Sequence, residues 1–180
     1  MSFGISTVTG GLAFKILREI YKTSWPGPSG VNITITGLSI KKDKLYILRV
    51  TQRNDPNNVW TMIGRVFING DTNTAKYYIQ YLVLDGTTIN ANRVNDTWVI
   101  NEGLPGTFPA PTIAGAAVIY IFIDPGGYAR IISIANMREG SSMKVVIAAI
   151  FYTVAVTDIT SISYIASGSS GELVLYGGMP

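Results

Sequence analysis

The segment Phe67-Ile68-Asn69-Gly70-Asp71-Thr72 separates two runs that both read as β-strand, Trp60 to Ile68 before it and Ala75 to Leu84 after it. Asn-Gly accepts the positive φ angles of a tight turn, so the chain is expected to reverse here as a hairpin. The same punctuation recurs along the chain. Val31-Asn32-Ile33-Thr34-Ile35-Thr36 alternates apolar and polar positions, and Leu45 to Thr51 follows, closed by a loop over 54–58. Residues 116–124 and 128–135 flank Pro125-Gly126-Gly127, a second expected hairpin. A long apolar strand over 143–154 comes next, then strands over 160–166 and 172–176. Nine or ten short strands with frequent turn residues favour an all-β, antiparallel sandwich or jelly roll over an open sheet.

The small, Gly-rich residues 1–11 read as a flexible N-terminal arm, and 12–180 as one domain with no linker, charge run or internal repeat to divide it. A chain of 180 residues buries a core of its own. Leu12 to Tyr21 fits a helix, with Leu17 and Ile20 beside Ala13, or a strand, with Phe14, Ile16 and Ile20 alternating against Lys15 and Glu19. The strand is favoured, because the cluster Trp25-Pro26-Gly27-Pro28-Ser29-Gly30 ends it. The stretch 85–115 reads as irregular, holding Asn90, Asn92, Asn95, Pro105, Pro109 and Pro111, with a short strand at Trp98-Val99-Ile100. Gly168-Ser169-Ser170-Gly171 reads as a loop between strands.

Catalysis finds little footing. Histidine and cysteine are both absent, which removes the usual neutral-pH base, the thiolate nucleophile and the commonest zinc ligands. Of the enzyme classes only a carboxylate-based hydrolase survives, on a pair such as Asp71 and Asp85, and no spacing sets two carboxylates across a cleft. There is no nucleophile elbow, phosphate-binding loop or dinucleotide fingerprint. Asn69, Asp71 and Asn73, with Gln80 at the twelfth position, superficially match a calcium loop. Thr74 replaces the glycine at position six and the bidentate Glu is missing, so a polar turn is the better reading. No catalytic residue, metal or cofactor is expected.

Surface chemistry points to assembly instead. Charged residues make up 14% of the chain against roughly 25% in an average domain, while 47% is hydrophobic. Residues 116–123 and 145–152 are apolar on both strand faces, which demands cover on two sides, from the 85–115 segment or a second subunit. A homo-oligomer is expected, a trimer or larger ring, with 113–123, 145–156 or 85–115 near its interface. The formal charge of +3 is scattered, with Lys41-Lys42-Asp43-Lys44 as a solvated turn, so no nucleic-acid partner is expected. The longest apolar runs, 113–123 and 145–156, fall short of the ~20 residues of a membrane span. The N-terminal residues lack a signal-peptide pattern, so folding in a cytoplasm is expected. Trp25, Trp60 and Trp98 could together floor a sugar-binding platform, although aromatics in sandwiches more often fill the core or an interface. Asn32-Ile33-Thr34 and Asn95-Asp96-Thr97 match glycosylation sequons, as chance allows in a Thr-rich chain.

Three blocks between residues 31 and 178 resemble a family of virion structural proteins of phages and archaeal viruses. One is Ile35-Thr36-Gly37-Leu38 running into Tyr46-Ile47-Leu48-Arg49-Val50. Another is Phe67-Ile68-Asn69-Gly70-Asp71-Thr72 followed by Tyr77-Tyr78-Ile79-Gln80, where Lys76 stands in place of the family's Asn. The last is Ile159-Thr160-Ser161-Ile162 with the closing Gly171-Glu172-Leu173-Val174-Leu175-Tyr176-Gly177, which departs from a Gly-Ser element at Gly171-Glu172. The resemblance implies a jelly-roll-like particle component (capsid, decoration, spike or tail) without catalysis, assembled in a host cytoplasm beside other virion proteins. A carbohydrate-binding module for host attachment, reaching a surface glycan, is the alternative. The resemblance assigns no functional residue.

Overall fold

Alternation of apolar and polar residues, broken by Gly, Pro and Asn, yields strands throughout the computed structural model, which describes residues 17–27, 31–41, 44–54, 63–100, 114–139, 142–167 and 169–177. The strands are β1 (Arg18–Trp25), β2 (Val31–Ile40), β3 (Tyr46–Asn54), β4 (Ile63–Ile68), β5 (Tyr77–Asp85), β6 (Thr88–Val94), β7 (Trp98–Ile100), β8 (Ala114–Ile123), β9 (Tyr128–Glu139), β10 (Ser142–Ala155), β11 (Ile159–Ser167) and β12 (Ser169–Gly177). One 3₁₀ turn, Thr74–Lys76, precedes β5. The expected arm over 1–11, and Trp60 with it, lie outside the described residues.

All pairings are antiparallel and form two sheets, β1-β12-β3-β8-β9-β10-β5-β6 and β2-β11-β4-β7. Within them lies a nested set, β1 with β12, β2 with β11, β3 with β8 and β4 with β7. First pairs with last and inner with inner, as in a two-stranded ribbon rolled up, and this is the jelly-roll order. The hairpins β5–β6 and β9–β10 are additions to that roll, and both extend the larger sheet. The molecule is thus an all-β sandwich.

The core lies between the sheets. Across the large sheet, successive inward rows run Leu173–Val50–Ala117–Ala135–Val146–Val83 and Leu175–Leu48–Ile119–Ser133–Ala148–Tyr81, all buried. Ile33, Ile35, Ile162, Tyr164 and Val66 face them from the small sheet. Trp25 of β1 meets Tyr164 of β11 with ring centroids 6.0 Å apart, joining the two layers. It lies over Gly171, where a Cβ would strike both the Trp25 ring and the Thr51 carbonyl. Its indole N–H donates to the Ser169 carbonyl at 2.8 Å.

The structure revises three local expectations. Asn69 (φ 52°) and Gly70 (φ 69°) do form a tight turn, closed by the Asp71 amide donating to the Ile68 carbonyl at 3.0 Å. It is not a hairpin, however, because β4 belongs to the small sheet and β5 to the large one. Turn chemistry specifies reversal of the chain, and the register of partners far away in sequence decides which strands then pair. The second expected hairpin holds, with β8 and β9 joined at Pro125-Gly126-Gly127 and Gly127 at φ 84°. Within 85–115, Thr88–Val94 is a full strand, since pairing with β5 outweighs its polar composition. Ser169 to Gly171, read as loop, open β12.

Candidate assembly surface

The two sheets present different outer faces. On the small sheet the outward positions of β2 are Asn32, Thr34 and Thr36, all exposed, with Thr34 and Ser163 hydroxyls 3.1 Å apart. On the large sheet the row above β3 to β6 is Arg49–Val118–Ile134–Ile147–Leu82–Ala91. The next row is Ile47–Tyr120–Ile132–Ala149–Gln80–Arg93. Strands apolar on both faces therefore bury one face in the sandwich and turn the other outward. Ile134 is 48% and Ile147 39% exposed, with Val118 and Ile132 close behind. A contiguous apolar surface rimmed by polar groups marks an interaction site.

Its relief is uneven. Alanines interrupt the bulky rows and leave two hollows, about 590 Å³ around Ala149 and about 610 Å³ around Ala116. Tyr78, Phe122, Ile132 and Phe151 line the first. Val118, Tyr120, Ile134 and Val145 line the second. Arg130 lies 4.1 Å above the Phe151 ring, and its guanidinium meets the Asp124 carboxylate at 2.6 Å. That carboxylate also accepts from the Tyr128 amide at 3.0 Å, and the amide with the guanidinium holds it below the usual carboxylate range. Arg93 covers the Tyr78 ring at 5.8 Å. Large aromatics beside arginine are the side chains that concentrate binding energy in protein interfaces.

On the flank next to this surface the same sheet is closed off. Glu172 binds Lys22 at 3.0 Å and Arg49 at 3.1 Å, and both partners stand beside Val174 in register. Val174 between them is 1% exposed.

The residues singled out in sequence do not converge on a catalytic or metal site. The Asp71 carboxylate accepts from Lys76 Nζ at 2.7 Å, the Tyr152 hydroxyl at 2.6 Å and the Asn73 amide at 3.1 Å. The Lys76 bond leads the interactions that hold its pKa down. A cation is thus built into the chain at this carboxylate. Asn69 turns instead to Thr160, whose amide it accepts at 2.8 Å, and Asn73 to the Ala75 amide at 3.1 Å. Gln80 lies on the outer face of β5. Asp71 precedes β5 and Asp85 is its last residue, which sets them on the order of 25 Å apart at ~3.4 Å per residue. Asp85 meets Lys144 at 3.3 Å. Among the described residues no group of three or more metal-ligating side chains gathers, and no helix is long and apolar enough to cross a membrane. Trp25 is 6% exposed, so it is core and not platform.

Reading the sequence located the two-faced strands but missed the row Phe122–Arg130–Phe151–Tyr78 that crosses them. Each member lay at an outward parity position of its own strand, and only register brings the four side by side. Comparison of the chain with protein-family models, curated proteins and solved structures gives no match. Fold and surface together define a jelly-roll sandwich whose enlarged sheet carries an apolar outer face.

Proposed function

We propose that this protein is a non-enzymatic structural component of a virus particle, assembled in the host cytoplasm and acting through self-association. The observation that carries the reading is the outer face of β8, β9, β10 and β5, apolar at its centre and polar at its rim. The nested strand order and the three blocks resembling virion proteins support it. Sheets that pack face to face interdigitate side chains at ~10 Å separation, and Ile134 and Ile147 beside the two hollows offer the knobs and holes for that contact.

Light scattering behind a sizing column tests this. The protein at high micromolar concentration should run as a homo-oligomer, and Ile134→Asp should lower the mass while the melting transition stays cooperative. A monomeric parent protein overturns self-association. An Ile134→Asp variant of unchanged mass removes this face from it.

A second reading, adhesion to a surface glycan, is favoured by the hollow lined by Tyr78, Phe122 and Phe151, where aromatic faces meet Gln80 and Arg93. Glycan-array binding that disappears in Tyr78→Ala, with the oligomer mass unchanged, would support it.

A further inference from the structure

The two sheets have four edges among the described strands, and three of them carry devices that discourage pairing. At β1 the register shifts between Glu19 and Tyr21, and Arg18, Glu19 and Lys22 are exposed. Opposite β2 the register shifts between Ile159 and Ser161, and β2 itself holds Gly37 at φ 72°. β7 is three residues long. β6 differs. It is seven residues long, exposed from Thr88 to Arg93, unbroken in register against β5, free of proline and charged only at Arg93.

The polarity of its free edge follows from the turn before it. Gly86-Thr87 is a two-residue connection with Gly86 at φ 58°, and Asp85 and Thr88 close it. The closing pair of such a hairpin exchanges both backbone bonds, and the pattern alternates from there. Thr88, Asn90, Asn92 and Val94 therefore direct their N–H and C=O groups to β5. Ile89, Ala91 and Arg93 direct theirs away from it.

We infer that β6 pairs antiparallel with β6 of a second copy about a two-fold axis at Ala91, joining two large sheets into one continuous sheet. This goes beyond the face contact proposed above and rests on the same self-association, through a different surface. The sequence Thr88-Ile89-Asn90-Ala91-Asn92-Arg93-Val94 is self-complementary in that register. Ala91 faces Ala91 of the partner subunit, Ile89 faces its Arg93, and Asn90 faces its Asn92. The outward N–H and C=O of three positions then form about six backbone bonds, once the Arg93 N–H leaves the Asn92 Oδ1 to which it donates at 2.7 Å in the single chain. A register centred on Arg93 would set two guanidinium groups face to face, so charge selects the one centred on Ala91. Ile89, 65% exposed in the single chain, shares the parity of Leu84, so the apolar outer face continues across the junction.

The chain contains no cysteine, so one introduced thiol reports cleanly. The geometry puts the two copies of residue 91 about 5.5 Å apart between Cα atoms, within disulfide range. Mild oxidation of Ala91→Cys should give covalent dimer at least ten-fold above Thr72→Cys, an exposed turn control. Equal yields, or no dimer, overturn the pairing. A second measurement uses the Ile134→Asp background, which lacks the face contact. That protein should remain a dimer, and adding Ala91→Pro should make it a folded monomer, because the lost N–H points away from β5. An Ile134→Asp protein that is already monomeric, or a dimer that tolerates Ala91→Pro, overturns the pairing. The face contact is judged separately, by whether Ile134→Asp changes the mass of the parent.

Discussion

β12 and β10 look alike in sequence and end up differently. Both are apolar on both faces, and both lie inside the large sheet with a neighbour on each side. In β12 the outward Val174 is 1% exposed, and its register partners are Lys22 and Arg49, which converge on Glu172. In β10 the outward Ile147 is 39% exposed, since its neighbours Ile134 and Leu82 are themselves apolar and bring no long charged side chain across it. A doubly apolar strand thus announces a second cover without saying who supplies it. Here one strand is covered from within the chain, and the other is left for a partner under the reading proposed above.

The sharpest way to break this contrast is to place the same charge on both strands. Val174→Asp removes a buried apolar side chain and sets a second carboxylate beside Glu172 to compete for Lys22 and Arg49, and should lower the melting temperature clearly. Ile147→Asp puts its charge into water and should keep the melting temperature within a few degrees while breaking the face contact and lowering the mass of the assembly. Circular dichroism melts with light scattering read both effects, and equal destabilisation by the two would erase the distinction.

The mooring of the exposed half comes next in size. Gly70, at φ 69° with open space around its Cβ position, sits in the turn that leads from the small sheet to β5. Gly70→Val should cost about 1–2 kcal/mol through backbone strain alone, and Thr72→Ser should cost almost nothing. Equivalent melts would argue against the turn as an anchor.

Tyr152 fastens β10 to the same turn. Burial, aided by its bond to Asp71, pushes its pKa up to about 12 from 10.0. A raised folded value means that its stabilisation is complete below pH 10.0 and is lost as pH climbs through about 12. Tyr152→Phe should therefore flatten the fall in melting temperature over that interval, although Tyr77 and Tyr164, also raised, preserve part of it. Parallel curves for parent and variant would show that this hydroxyl carries no share.

The smallest effect is expected from Glu172→Gln, which frees Lys22 and Arg49. The Lys22 bond leads the interactions that hold the Glu172 carboxyl below its ordinary 4.5, so its contribution is present above that value and fades as acid protonates it. Half-exposed pairs of this kind are worth little in salt. A slight drop in melting temperature at neutral pH should vanish at high ionic strength. A drop that survives salt would mean that packing over Val174 matters more than the charges.

Much of the fold was legible where chemistry is local. Pro125-Gly126-Gly127 identifies the β8–β9 hairpin, and the alternation of 173–176 identifies a strand that pairs inside a sheet. Other features depend on distant partners. Thr88–Val94, with its asparagines, looks like loop until β5 offers it a ladder. Arg65 and Asp96, 3.0 Å apart, lie on elements that no periodicity relates. The surface was half legible: the patterns of 116–123 and 145–152 gave strands with two apolar faces, and register alone gathered the outward ones side by side.

Local chemistry alone specifies the class of structure and the want of histidine and cysteine. Strand propensity, turn residues and the want of histidine and cysteine are properties of neighbouring residues or of the inventory, and they hold whatever the topology. Tertiary structure decided which sheet receives β5, that Asp71 is saturated by Lys76 and Tyr152, and which apolar faces meet the core. Side chains alternate every two residues, so a strand's pattern says that it has two faces. Only pairing with residues tens of positions away determines what lies against each.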